Sequence, residues 1–374
     1  MTENSAATGV ITNPTQMTPD WLSSILRREG VLDRGKVLAV QTIDAPHLTV
    51  QYSGDAPKTA PSRLYLKLQQ RRNIAGGHGR PEVRAYRAWG TQRERLPLLP
   101  RCYDALYDED TARSHVLMQD FSATHTLPTW PVPSLEHQIW VTDCSARFHA
   151  HWWEHPDNRT FGTLDPNLEH DCGDEASYQA YARRYQEAYE AFADFAGDRL
   201  TAADRQQYEA ILVTLPTLFS RYLAPRFASG ARLTLIQGDS HWGQFACPAD
   251  PSHDTTLLFD LECLHIGMPA ADLAYRLPFS WTPEQRRTME GPLIARYLEE
   301  LRRCGIVGYD HEQFWEDYRL SFIFVALYAL TPFTSRLRAR TLHDWPNAEA
   351  PAWYWRDLAL LVDNFRDLGC SVLL

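Results

Sequence analysis

The sequence contains no Cys-x-x-Cys pair. Its seven cysteines stand at 102, 144, 172, 247, 263, 304 and 370, an odd and scattered set. That pattern fits a reducing compartment and argues against a zinc site built from cysteine. Basic residues are not in excess either: 37 Lys and Arg face 47 Asp and Glu, for a net charge of -10. A general nucleic-acid binder would carry a basic patch and a high pI, so that class is set aside. The acidic balance suits a cationic substrate, or nothing more than solubility. Long apolar runs are missing. The longest, residues 322–330, falls well short of the ~20 residues a membrane span needs, and Pro332 follows it. The first residues show neither a basic region nor an apolar stretch, so no secretory signal is visible and a soluble, cytoplasmic protein is expected. Internal repeats and low-complexity tracts are also absent.

What remains is a chain of 374 residues, 44% hydrophobic, long enough for a sizeable core and for two domains or lobes. Residues 1–17 are polar and expected to be flexible. Thr18, Pro19 and Asp20 read as a helix start, with a capping hydroxyl, Pro at the first helical position and an acid in the first turn; Gly30 is its stop. Residues 37–43, 48–52 and 63–68 are β-prone and separated by Pro, Gly and Asp, which predicts three strands. Residues 69–80 read as a loop, with Arg71, Arg72, Gly76 and Gly77 as a solvated connection. A helix is predicted from Pro81 to Trp89, and a last strand at 116–118. Residues 134–229 carry helical patterns; over 178–195 aromatics recur at helical spacing. Residues 232–262 return to strands, and helices resume from Thr282. The outline is a small β-rich lobe over 18–120 and a larger helical lobe over 121–374 with one short β insertion.

The insertion contains the stretch "LIQGDSHWGQF", residues 235–245. Asp239 and Gln244 lie five apart on a loop between strands, and Asp260 stands alone among aliphatics at the end of the next strand. Two carboxylates in one buried pocket repel, and one takes up a proton. A divalent cation removes that conflict, and Mg²⁺ favours oxygen ligands, with one or two carboxylates plus substrate phosphates. Gln244 and Asp260 are therefore candidate metal ligands, and Asp239 stays free to face a hydroxyl. This is the division of labour in phosphoryl transfer, where an Asp orients the acceptor and takes its proton while an amide and a second Asp hold metal on the phosphates. The same chemistry needs a strand Lys and a helical Glu. Lys67 is a lone cation in an alternating apolar strand, and Glu82 opens the helix that follows. A buried Lys is costly unless paired, so these two are expected to pair.

These residues resemble the aminoglycoside phosphotransferase and choline-kinase-like group, a branch of the protein-kinase fold that phosphorylates small molecules. The group's H-G-D-x-H-x-x-N is matched by Gln237-Gly238-Asp239-Ser240-His241-Trp242-Gly243-Gln244. Its I-D-W/F-E/Q is matched by Phe259-Asp260-Leu261-Glu262, and its G-x-P-x-x-D-L-A by 267–274. Glu82 to Tyr86, Met118-Gln119-Asp120 and 146–150 extend the likeness, which spans residues 18–335. Ala146 to Trp153, with its paired tryptophans, is most similar to the ecdysteroid-kinase-like branch.

The resemblance implies an α+β, two-lobed protein-kinase-like fold, with a small β-rich N-lobe, a large mainly helical C-lobe and nucleotide bound between them. It implies Asp239 as catalytic base, with His241 and Asp272 fixing the catalytic loop. It implies Lys67 on the α- and β-phosphates, held by Glu82, and Met118, Gln119 and Asp120 presenting backbone groups to adenine. Gln244 and Asp260 would bind Mg²⁺. ATP or GTP would be the donor and a small-molecule hydroxyl the acceptor, either an aminoglycoside-like antibiotic or another hydroxylated metabolite.

Two departures stand out. Gln replaces the usual Asn at 244, which lengthens the arm by one methylene, and Gln237 replaces the usual His. The turn at 44–47, which would cover the nucleotide, has no glycine-rich signature. A non-catalytic nucleotide-binding protein on the same scaffold is the alternative that Gln244 invites; a metal-dependent hydrolase is a further one. A zinc site from Asp239, His241 and His265 lacks a third close-spaced ligand. His149 with Trp152 and Trp153 reads more as helix packing than as a substrate wall. Trp315, Tyr318, Trp353 and Trp355 read as core, or as acceptor pocket. Arg336, Arg338 and Arg340 would suit an anionic substrate.

Overall fold

A run of strand-forming residues after one capped helix builds the first part of the chain. The structure, a computed structural model, describes residues 9–44, 46–69, 79–89, 96–129, 132–161, 174–252, 255–334, 345 and 349–374. Of the loop expected at 69–80, Gln69 ends a strand and Gly79 and Arg80 open a helix, while Arg71, Arg72, Gly76 and Gly77, like Arg336, Arg338 and Arg340, lie outside the described residues. Contacts divide the chain into two compact units: Met1–Thr126 with Ala246–Cys263, and Leu127–Phe245 with Leu264–Leu374.

In the first unit, helix α1 (Pro19–Arg28) starts where Thr18 Oγ1 accepts the Trp21 N–H at 3.1 Å. Strands β1 (Val37–Asp44), β2 (His47–Tyr52) and β3 (Arg63–Gln69) follow, then helix α2 (Gly79–Trp89), then β4 (Cys102–Asp108) and β5 (Arg113–Gln119). The sheet order is β1-β2-β3-β5-β4, antiparallel throughout. Trp21, Leu22, Ile25 and Leu26 of α1 pack on Val37, Leu48, Val50, Leu64, Leu66 and Leu117 of the sheet. Burying such side chains contributes about 1.5–3 kcal/mol each, which is what holds the helix on the sheet.

Three features of this unit differ from the sequence reading. The segment expected to be flexible is described from Gly9, and there it is packed: Ile11 is buried, and its N–H donates to His115 Nδ1 at 3.0 Å. Strand β4 was not anticipated; its Asp104 and Asp108 disguise an edge strand whose Tyr103 and Ala105 alternate inward. The chain also returns to this unit late. After β6 (His125–Thr126) it builds the second unit, then contributes residues 246–263, which the sequence reading grouped with the helices.

The second unit is helical: α3 (Leu135–His151), α4 (Glu175–Ala196), α5 (Ala202–Leu218) and α6 (Ala224–Ser229) precede the short strand β7 (Thr234–Ile236). Strands β8 (Phe245–Pro248) and β9 (Leu257–Leu258) then join β6 in a three-stranded sheet of order β6-β8-β9. Strand β10 (His265–Gly267) pairs antiparallel with β7, Ile236 opposite His265 and Thr234 opposite Gly267. Helices α7 (Ala271–Ser280), α8 (Pro283–Arg303), α9 (His311–Ala326) and α10 (Ala352–Asp367) complete the unit. The sequence reading resumed helices only at Thr282; Pro278 inside α7 hides the earlier one. The β7–β10 pairing puts the end of β7 beside the start of α7, and this positions the loop at 237–244. Among the described residues no helix is long and apolar enough to cross a membrane.

Candidate active site

Two groups of side chains carry chemistry, one in each unit. The first is built on β3. Alternation along that strand buries Leu64 and Leu66 on one face and leaves Lys67 on the other. Lys67 Nζ lies 2.9 Å from Glu82 Oε2, 2.6 Å from Asp260 Oδ1 and 2.9 Å from Glu262 Oε1. Glu82, in the first turn of α2, is 1% exposed. Its Oε1 accepts the Leu261 N–H at 3.2 Å, which ties the helix to the 259–262 stretch. Glu262 Oε2 accepts from Gln69 Nε2 at 3.1 Å. Burial works against the Lys67 charge, but Glu82, Asp260 and Glu262 more than offset it and hold the ammonium well above the ordinary lysine pKa. Burial raises the Glu82 carboxyl above its usual range, with Lys67 opposing.

The carboxylates outnumber the ammonium they surround. Glu82, Asp260 and Glu262 each offer an oxygen within 4.8 Å of the others, the one group of His, Cys, Asp and Glu among the described residues that could hold a metal ion. Hard oxygen ligands of this kind suit Mg²⁺. Asp260 also has a left-handed backbone, φ 58°. Such a conformation is uncommon outside glycine, costs of order 1 kcal/mol and concentrates at functional sites. It turns the carboxylate toward Lys67.

The second group is the loop after β7. Gly238 has φ +84°, which glycine adopts without a Cβ clash. The Gln237 and Gly238 N–H groups donate to Asp272 Oδ2 and Oδ1 at 2.9 and 3.0 Å. Asp272 is 2% exposed in the first turn of α7 and meets His149 Nε2 at 3.1 Å. Burial pushes its carboxyl up, but the bond and charge of His149 and the two backbone N–H groups outweigh it and leave the pKa lowered. His149 Nδ1 lies 2.7 Å from the Tyr297 hydroxyl, so His149 is committed to packing and bonding; Trp152 is buried. Asp239 itself is half-exposed. Its Oδ1 accepts the Tyr275 hydroxyl at 2.7 Å, its Oδ2 accepts Gln244 Nε2 at 3.3 Å, and His241 Nε2 is 3.9 Å away. His241 Nδ1 accepts the Gly243 N–H at 3.1 Å and so caps the turn that carries Gln244.

A cavity opens beside this loop, with about 1000 Å³ of empty space including its mouth. Tyr178, Tyr181 and Tyr185 of α4, Phe227 of α6, Phe324 of α9 and Tyr328 form its walls, and Gly238, His265 and Tyr275 line it too. The sequence reading saw the helical spacing of the α4 tyrosines but gave them no role. Trp315, Tyr318, Trp353 and Trp355, read mainly as core and otherwise as acceptor pocket, do not line this cavity. Tyr318 is buried with its hydroxyl on Glu290, and Trp355 stacks on Phe195.

The expected site residues thus fall into two sets. Lys67, Glu82 and Asp260 come together in the first unit, joined by Glu262, to which the motif match assigns no role. Asp239, His241, Gln244 and Asp272 come together in the second, joined by Tyr275. The signal for Glu262 was its spacing two residues after Asp260; for Tyr275 it was its place three residues after Asp272 on one helix face. Met118 is 3% exposed within the sheet, and the Gln119 N–H already donates to Arg101 O at 2.7 Å. The Asp120 carboxylate accepts from Arg63 Nε at 2.9 Å and meets His47 Nδ1 at 3.1 Å. Burial pushes its carboxyl up, but Ser122, His47 and Arg63 bring the pKa down to about 2.

The sequence profile of the ecdysteroid kinase-like family matches residues 82–306, well over half of the chain. No curated protein matches the sequence. Among solved structures, a Ralstonia eutropha JMP134 protein provisionally assigned as an aminoglycoside phosphotransferase aligns with TM-score 0.54 at 15% identity, over 94% of this chain and 97% of that one. A choline kinase from Cryptosporidium parvum Iowa II aligns with TM-score 0.46 at 12% identity, over 93% and 97%. The choline kinase LicA of Streptococcus pneumoniae aligns with TM-score 0.44 at 14% identity, over 87% and 93%. With the first of these likenesses, the antiparallel sheet and the helical remainder identify the fold as protein-kinase-like.

Proposed function

We propose that this chain, which belongs to the ecdysteroid kinase-like family, transfers the γ-phosphoryl group of ATP to a hydroxyl of a small molecule, with Asp239 as the base. The observation that carries this reading is the Asp239 loop: its backbone is anchored on Asp272, and its half-exposed acid follows Gly238, which lines an aromatic cavity. The acceptor oxygen forms a bond to the γ-phosphorus, the bond from that phosphorus to the bridging oxygen breaks, and ADP leaves. The hydroxyl proton passes to the Asp239 carboxylate. Lys67 supplies positive charge for the phosphates, and Glu82 fixes its position.

The carboxylates of Asp260 and Glu262 fit magnesium by donor type and mutual distance. Bound magnesium would neutralise phosphate charge and orient the donor. Positioning and charge complementarity then supply most of the rate, because phosphoryl transfer leaves the protein little covalent work.

The cavity narrows the acceptor. Tyrosine and phenylalanine dominate its walls, and Asp272, already committed to backbone N–H groups, is the one carboxylate among the described residues that line it. A polycationic aminoglycoside would find few acids there. An uncharged, ring-bearing alcohol would bury its apolar area against the aromatics. The experiment is an acceptor screen with mass detection of an added phosphoryl group, pairing apolar ring alcohols with aminoglycosides. Phosphorylation of the ring alcohols is expected. Phosphorylation of aminoglycosides alone would overturn the cavity as acceptor site. Nucleotide binding with no ADP release would instead favour the non-catalytic alternative.

A further inference from the structure

Three residues on one turn of α7 hold four successive residues of the loop after β7. Asp272 takes the N–H groups of Gln237 and Gly238. Arg276, 1% exposed, donates to the Ser240 carbonyl at 2.9 Å and to its hydroxyl at 2.6 Å. The guanidinium is itself fixed by Ser145 Oγ at 2.9 Å and by the faces of Trp242 and Phe245. The backbone on both sides of Asp239 is therefore immobilised. The Asp239 side chain, 39% exposed, is oriented by hydrogen bonds of its own, one of them from Gln244 Nε2 to Oδ2 at 3.3 Å.

Tyr275 stands between Asp272 and Arg276 on that turn and donates its hydroxyl to Asp239 Oδ1 at 2.7 Å. Its own ring stacks on Phe279 at 5.4 Å and meets Tyr328 edge-on at 5.4 Å, so the donor is held by the wall of the aromatic cavity. We propose that Tyr275 is a positioning residue for the phosphoryl transfer, holding the Asp239 carboxylate in the one rotamer that faces the acceptor hydroxyl. This rests on the proposed function, since it gives Asp239 the part of base. Each carboxylate oxygen has two lone pairs, so a bond from Tyr275 to Oδ1 leaves capacity for the acceptor proton. Tyr275 transfers no proton itself.

The probe is Mg-ATP with the panel of apolar ring alcohols as acceptors, read as ADP release in excess of that with water alone by the full chain, Tyr275→Phe and Asp239→Ala. The Phe variant keeps the ring in the cavity wall and removes only the hydroxyl. Its kcat is expected to fall about tenfold, because small losses of alignment are costly in rate, while KM for Mg-ATP and Tm stay unchanged. A purely structural part would lower Tm and leave kcat per folded molecule as in the parent. That result, or a kcat within about twofold of the parent while Asp239→Ala is inactive, overturns the inference. If the parent releases no ADP, or Asp239→Ala releases it as fast, the proposed function itself fails and the inference with it.

Discussion

The Lys67 group and the Asp239 loop solve opposite problems. Around Lys67, charge is crowded: an ammonium and three carboxylates sit within bonding distance, with Glu82 fully buried and Asp260 on a left-handed backbone. Around Asp239, charged groups are spent on the backbone: Asp272 and Arg276 hold its neighbours, while the acid itself is reached by a phenol and an amide. The first arrangement, rich in carboxylate oxygens, suits the cation and charged donor that the proposed function gives it. The second is made to hold one acid still beside an apolar wall. The proposed function thus gives donor and acceptor chemistry to different units of the chain, and mutations in each should fail in different ways.

The sharpest contrast comes from Asp239→Ala. Turnover should fall by about 10³-fold or more, the scale of a lost general base, while nucleotide affinity by titration stays within about twofold. Comparable turnover would remove Asp239 from the reaction and erase the distinction between the two groups. Lys67→Met should act on the other side. Turnover should fall by about 10²-fold with weakened nucleotide binding. Stability in denaturant unfolding should also drop by about 3 kcal/mol, because Glu82 is left buried without its partner. Unchanged stability would show that the ion pairs around Lys67 are not what holds α2 to the sheet. Asp260→Ala should be milder in kcat but raise the Mg²⁺ needed for half-maximal activity about tenfold; an unchanged metal titration would take Asp260 out of the metal site.

The contrast also explains what the sequence disclosed. Lys67 and Glu82 were legible as a couple because a lone cation in an apolar strand has few affordable fates, and the helix acid after it supplies one. The caps did as well: Thr18 heads α1 as its spacing predicted. The first strands were legible from alternation, yet β4 was not, because an edge strand tolerates the aspartates that usually signal a turn. Residues 246–263 joined the first unit through pairing with β6, a long-range contact that no local pattern encodes. The acceptor wall was hidden for the same reason. Tyr178, Tyr181 and Tyr185 read as an ordinary buried helix face, and only tertiary packing sets that face against Phe324, Tyr328 and the end of β7.

The central claim is that phosphorus moves from nucleotide to alcohol on this chain, and isotope labelling of the transferred group tests it most directly. The wild-type protein would be incubated with Mg-ATP carrying heavy oxygen on the γ-phosphorus and with the ring-alcohol panel, then analysed by mass spectrometry. The expected product is an alcohol phosphate that carries the heavy γ-oxygens and keeps the alcohol's own oxygen, formed in step with ADP. Heavy inorganic phosphate with no phosphorylated alcohol from any acceptor, or no ADP at all, would contradict it.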